Sequence, residues 1–252
     1  MTGDGNWTWL IPGRVPTLID AGTGVGEHLD ALESALGGAK LAQVLVTHGH
    51  SDHASGAAAI AGRMPGVRFL KKPWPARDDR WGVEWSPLRD GDAIAVGDTF
   101  VTTVGTPGHA PDHVCFWHPE SRMLFGGDLA IEGTTVWLPS SLDGDLHAYL
   151  KSLERVLALD PIRVFPAHGE VIDDPGTLLR NYIDHRLKRE EQVIEALRSG
   201  DTSPEAIAGR IYTRLRDDLR SRAVETVISH LKKLEQDGRA HRSELAWHII
   251  EP

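Results

Sequence analysis

His48-Gly49-His50-Ser51-Asp52-His53 places four potential metal ligands within six residues. Neutral imidazole nitrogens and carboxylate oxygens are the donors that zinc and its first-row neighbours accept. His48 and His50 alternate and can converge on one ion, while Asp52 and His53 point elsewhere and can hold a second. A His-rich polar loop without ligand duty is the plain alternative, and three later segments argue against it. Thr106-Pro107-Gly108-His109, Gly126-Gly127-Asp128 and Pro166-Ala167-His168-Gly169 each offer a further donor on a glycine-containing turn.

The elements that must carry these donors can be read from the apolar runs before them. Residues 41–47, 99–104, 123–125 and 162–165 all read as strands, and each ends in one of the donor-bearing turns. Chemistry in α/β folds collects at the carboxyl ends of strands. His109 or His168 alone would read as an ordinary histidine; the repeated strand–turn setting makes them a constellation. Residues 7–10, 17–20 and 67–70 read as further strands, with helices over 26–36, 54–61 and 146–157. Leu146, Leu150, Leu153 and Leu157 share one helical face. Hairpins are expected around Gly97-Asp98 and between residues 113–117 and 122–125. Two such strand–helix halves predict a four-layer αββα sandwich over residues 1–184. Beyond Asp174-Pro175-Gly176 the pattern turns helical, with helices over 178–197, 206–215 and 223–234 and a small hairpin over 239–242 and 246–250. We read residues 185–252 as a winged-helix-like appendage.

The order His-x-His-x-Asp-His, then His, Asp and His, resembles the metallo-β-lactamase superfamily. Leu18-Ile19-Asp20-Ala21-Gly22 is similar to its first motif. Glu132-Gly133-Thr134-Thr135-Val136, Pro166 to Ile172, Tyr182-Ile183-Asp184-His185-Arg186 and His230 to Glu235 resemble a narrower group, the beta-lactamase-like protein 2 family. The resemblance covers nearly the whole chain. It implies the αββα fold and a dinuclear site. One ion would be held by His48, His50 and His109, the other by Asp52, His53 and His168, with Asp128 bridging. Two divalent cations sharing a water lower its pKa, so a bridging hydroxide is available near neutral pH. Zinc is the default metal, and iron or manganese suits the same mixed donors. Asp52 and Asp128 are the candidate catalytic carboxylates, Asp52 as a proton carrier besides its ligand duty. Asp20 is a candidate partner for a ligand imidazole, or else a simple turn cap. His185 and Arg186 are candidates for substrate contact, with a helix-surface ion pair as the alternative. His113 either supports the site or packs under the sheet.

Bulk properties restrict the class. The formal charge is −9, and it is uneven: residues 180–252 carry 14 basic and 13 acidic side chains, leaving 13 and 23 in the remainder. An acidic body argues against indiscriminate nucleic-acid binding. The single cysteine, Cys115, excludes an internal disulfide and reads as packing in an apolar strand. With no leader-like N-terminus and no spanning apolar run, we expect a cytoplasmic protein with no membrane partner. A homodimer through the appendage is compatible with the pattern.

Substrate class is the open question, because fold alone does not choose it. Relatives within the resemblance act on acyl thioesters or on single-stranded RNA. The Trp-rich stretch 71–88, with Trp74, Trp81 and Trp85, suits an acyl-binding wall or a cover for the sheet edge. The appendage, with Arg214, Arg216, Arg220 and Arg222, favours RNA. On balance the expected activity is hydrolysis of a small-molecule ester or thioester, ahead of endoribonuclease action. A zinc β-lactamase fits less well, because those enzymes resemble this sequence only in outline and lack a bridging carboxylate at the corresponding place. A non-catalytic ligand sensor also fits less well.

Overall fold

The computed structural model describes residues 5–244 and 246–250. Its first sheet runs in the order β1 (Trp9–Ile11), β2 (Thr17–Ile19), β3 (Gln43–Val46), β4 (Arg68–Lys71), β5 (Trp85–Pro87), parallel apart from the β1–β2 pair. The second contains β6 (Ala93–Val96), β7 (Thr99–Gly105), β8 (Val114–His118), β9 (Met123–Gly127) and β10 (Arg163–Pro166), and only its β9–β10 pair is parallel.

Strand alternation builds the layers. In β3, Leu45 faces Val96 and Phe116 in the core between the sheets, while Val44 and Val46 face α1 (Gly26–Leu36) through Leu29 and Leu32. In β8, Val114 and Phe116 join the inter-sheet core. Cys115 and Trp117 pack outward on Leu150 and Leu153 of a later helix, Leu146–Leu159. Side chains two apart share a face, so both central strands are buried on both sides. The expected four-layer αββα sandwich is the observed architecture. Cys115 lies within it, and burial pushes its thiol up to about 12, which suits packing and not nucleophilic attack.

The helix expected over 54–61 is two pieces, α2 (Ser51–Ala54) and α3 (Ala57–Arg63). The break lies at Gly56, where an added Cβ would stand 2.2 Å from the Ala21 carbonyl oxygen. Close passage of the β2 turn therefore interrupts the helix. After the short α4 (Pro75–Asp78), Trp81 and Trp85 pack into the outer core of the first sheet, so they cover its edge.

Following α5 (Leu146–Leu159), the long α6 (Pro175–Arg198) crosses position 185 without interruption. Leu179 and Tyr182 belong to the outer core of the second sheet, whereas Val193 and Leu197 belong to a separate core. That core is completed by α7 (Pro204–Ile211), α8 (Arg220–Gln236) and the hairpin β11 (Ala240–Ser243) and β12 (Ala246–Ile249). Three helices closed by a small hairpin form the winged-helix domain. Among the described residues no helix is long and apolar enough to cross a membrane.

His230 on α8 is fully buried, and neither ring nitrogen has a hydrogen-bond partner. Burial, then Arg186, Arg189, Lys233 and His185, holds its pKa down to about 3. The unfolded side chain takes up a proton near pH 6.5, which the folded one refuses until about 3. Stability must therefore fall as pH drops through that window. From pH 7 to pH 5 the wild type is expected to lose about 2 kcal/mol more than a His230→Leu variant. Urea unfolding at the two pH values measures this; identical pH dependence in both proteins would show that His230 protonates freely when folded.

Candidate metal centre

The site assembles where the two sheets present their strand ends. At the end of β2, Asp20 adopts a left-handed backbone, φ 63°, and is buried. Its carboxylate accepts the Thr47 N–H at 2.7 Å, the Thr47 hydroxyl at 3.0 Å and His53 Nδ1–H at 2.8 Å. One residue thus fixes both the chain leaving β3 and the ring of His53. Gly49 N–H is held by Asp112 Oδ2 at 2.7 Å, and Asp112 in turn by the buried Lys71 ammonium at 2.8 Å. Asp112 and Lys71 are supports that the sequence reading missed. His113, on the residue after Asp112, accepts the Asp128 N–H at Nε2, 3.0 Å, and donates from Nδ1 to Thr106 Oγ1 at 2.8 Å. Gly127, at φ 51°, permits this approach, because a Cβ there would meet His113 Nε2 at 2.8 Å. Burial, with His109 next, holds His113 down to about 3, so it stays a neutral acceptor.

Two sets of donor atoms result. His48 Nε2 lies 2.9 Å from His50 Nδ1, and His109 Nε2 lies 3.0 Å from the same atom. His168 Nε2 lies 3.2 Å from Asp52 Oδ2, and His53 Nε2 is 3.7 Å from that oxygen. Asp128 touches both: Oδ1 is 3.4 Å from His53 Nε2 and 3.3 Å from His168 Nε2, and Oδ2 is 3.3 Å from His109 Nε2. The outward nitrogens are occupied, with His48 Nδ1 on Thr47 Oγ1, His109 Nδ1 on the Trp137 carbonyl and His168 Nδ1 on the Gly5 carbonyl. The inward nitrogens therefore carry lone pairs.

Electrostatics agree with cation binding. Burial and the neighbouring rings hold His48, His50 and His109 below the usual histidine range, His50 at about 4. Three neutral imidazoles converging within hydrogen-bond distance repel one another unless a cation lies among them. On the other side, burial opposes charge, but Asp128 and Asp20 raise His53 and Asp52 and Asp128 raise His168. His53 Nε2 and Asp128 Oδ1 are buried with no hydrogen-bond partner. His48, His50 and His109 form one group with the spacing of a metal site, and Asp52, His53 and His168 another, with donor atoms within 4.8 Å. The residues present fit divalent metal binding.

The other sequence candidates lie apart from this cluster. His185 is exposed on α6. Arg186 is buried, donates to the Val136 carbonyl and stands 6.0 Å from the Tyr149 ring, so it is not on the helix surface. Trp74 is the one member of the Trp-rich stretch beside the site, its ring 6.2 Å from His50 and covered by Arg77 at 4.4 Å.

Comparison with known proteins gives the same centre a family. The profile of the metallo-beta-lactamase superfamily matches residues 1–168. The chain belongs to the metallo-β-lactamase superfamily. It is a hydrolase of that superfamily, whose members typically bind metal ions. A beta-lactamase associated winged helix domain matches residues 203–247. A beta-lactamase-like protein 2 homolog of Caenorhabditis elegans is 34% identical over 245 residues, 94% of this chain and 81% of the worm protein. An atrochrysone carboxyl ACP thioesterase of Aspergillus chevalieri is 30% identical over 249 residues, 93% of this chain and 77% of the fungal one. In fold, the chain matches a beta-lactamase domain protein from Burkholderia ambifaria with a TM-score of 0.80 at 21% identity, over 97% of this chain and 86% of that one.

Proposed function

We propose that this superfamily hydrolase is a dinuclear enzyme acting on a small-molecule ester or thioester. The observation that carries the reading is Asp128, whose two oxygens face two separate sets of donor nitrogens. His48, His50 and His109 would hold one ion, Asp52, His53 and His168 the other, with zinc as the default for these donors. Bound there, the pair would supply a water of lowered pKa and polarise the substrate carbonyl. Asp20 orients His53, and the Trp137 carbonyl orients His109. Asp52, 20% exposed at its side chain, would take a proton from the attacking water and pass it to the departing thiolate. Burial disfavours its charge, but His168 and His53 hold it below the usual carboxylate range, so it is ionised and ready to accept. Trp74 stands beside His50 and would back that side of an acyl site.

A relative named as an acyl-carrier thioesterase supports the carbonyl reading. The winged-helix domain supports the alternative, endoribonuclease action on single-stranded RNA. Three of its arginines, however, already have carboxylate partners, which weakens their pull on phosphate: Arg216 pairs with Asp218, Arg220 with Asp217 and Arg210 with Asp201. The test is a panel of acyl thioesters, esters and lactones beside end-labelled single-stranded RNA, at low and moderate salt. Chelator-sensitive thioester hydrolysis, restored by zinc, with intact RNA is the expected result. RNA cleavage that weakens with salt, with every acyl substrate untouched, would replace this reading by the nuclease one.

A further inference from the structure

The segment from Ile131 to Leu138 runs beside the site between β9 and α5, and its backbone is held by α6 and α8. The Tyr182 hydroxyl on α6 accepts the Ile131 N–H at 3.1 Å and lies 2.8 and 2.7 Å from the Ile131 and Thr134 carbonyls. Next along, Arg186 donates to the Val136 carbonyl. Two residues on, Ser229 of α8 donates to the Leu138 carbonyl at 2.6 Å. Trp137 lies between these two anchors, and its own carbonyl accepts from His109 Nδ1 at 3.3 Å. The opposite nitrogen of that ring faces His50 and Asp128.

We infer that Arg186 and Ser229 are positioning residues for the metal centre, pinning the carbonyls on either side of Trp137 so that its carbonyl fixes the tautomer and angle of His109. The inference rests on the two-ion reading of the site and extends it to the winged-helix domain, because α8 belongs to that domain and α6 to both cores. Arg186 is 6% exposed, and its Nε has no partner. A buried guanidinium with an unpaired N–H is unfavourable for packing alone. Its bond to Val136, in the segment that reaches His109 Nδ1, accounts for its place. The partner of a ligand imidazole sets ring orientation and basicity, and losing it typically weakens metal binding about ten- to a hundredfold.

The prediction is selective. In the full-length protein, Arg186→Met and Ser229→Ala should each weaken the ion at His48, His50 and His109 by about tenfold or more. The ion at Asp52, His53 and His168 should keep its affinity. Asp20→Asn should weaken the ion at Asp52, His53 and His168 most, through His53, and the other ion less, through Thr47 and His48, and Arg186→Lys should recover part of the Arg186→Met loss. Zinc competition with a chromophoric chelator resolves the two affinities, and cobalt(II) absorption reports the ligand field of the imidazole-rich site directly. If Arg186→Met does not fold, Arg186→Lys and Ser229→Ala carry the test. Equal weakening of both ions, or unchanged affinities and cobalt spectra in the variants, would overturn the inference. A wild type that binds two ions yet hydrolyses no acyl substrate would sink the proposed substrate class alone, and one that binds no ion would sink both.

Discussion

Asp128→Ala should lower kcat for acyl hydrolysis by about a thousandfold or more, a loss of about 4 kcal/mol of barrier stabilisation, and should reduce bound metal from two ions per chain toward one. The expectation follows from its position: Oδ1 lies with His53 and His168, and Oδ2 with His109. Burial disfavours the charge, yet His53, His109 and His168 hold the carboxyl below the usual carboxylate range, so it is an anion at neutral pH. An anion shared by two cations offsets their mutual repulsion, which no neutral side chain can do at the same distance. Asp128→Asn keeps the shape, supplies one oxygen and removes the charge. It should fall nearly as far as alanine, because the amide cannot face both donor sets with oxygen. Metal analysis alongside steady-state kinetics checks both variants. An alanine variant that keeps two ions and wild-type kcat would show that Asp128 does not bridge, and the dinuclear reading would fail.

The donors themselves could be read from the sequence because each is local. A short apolar run, a glycine turn and one His or Asp are visible within eight residues, and four repetitions of that pattern place the ends of four strands together. The layers followed for the same reason, since the near-continuous apolar runs at residues 44–46 and 114–117 signal burial on two faces. What escaped depends on contacts distant in sequence. Gly56 splits a helix only because the Ala21 carbonyl passes beside it. Lys71 reads as the polar end of an apolar strand, and nothing near it announces that Asp112, forty-one positions away, closes over it. Arg186 and His230 lie in helices rich in exposed charges, so periodicity offers no reason to bury them. The Trp-rich stretch divides for a similar reason: Trp81 and Trp85 cover the sheet edge while Trp74 reaches the site, and composition cannot separate them.

The Lys71–Asp112 pair leads to the second large effect, this time on stability. Both side chains are fully buried, 0% exposed, and Lys71 Nζ is shared between Asp112 Oδ2 at 2.8 Å and Asp78 Oδ1 at 2.7 Å. Asp112 also accepts the Gly49 N–H, in the middle of the His48-Gly49-His50 turn. Asp112→Ala removes two bonds at once. It leaves a buried ammonium with one carboxylate and a backbone N–H with none, and should destabilise the protein by about 3 kcal/mol or more. The freed turn should also bind its ion less tightly, because His48 and His50 flank the released amide. A combined Lys71→Met, Asp112→Leu variant separates the two contributions. Removing both charges lifts the larger part of the desolvation penalty, with Asp78 keeping the Trp74 N–H as its partner, so at least half of the lost stability should return, while the Gly49 N–H stays unpaired and the metal affinity stays low. Urea unfolding of the metal-free proteins, with zinc competition on the folded ones, measures each. Were Asp112→Ala to match the wild type within about 0.5 kcal/mol, the ion pair would be incidental to the turn. Stability that returns without metal affinity would instead show that Asp112 serves the centre through Gly49, and that Lys71 is there to keep a buried carboxylate ionised.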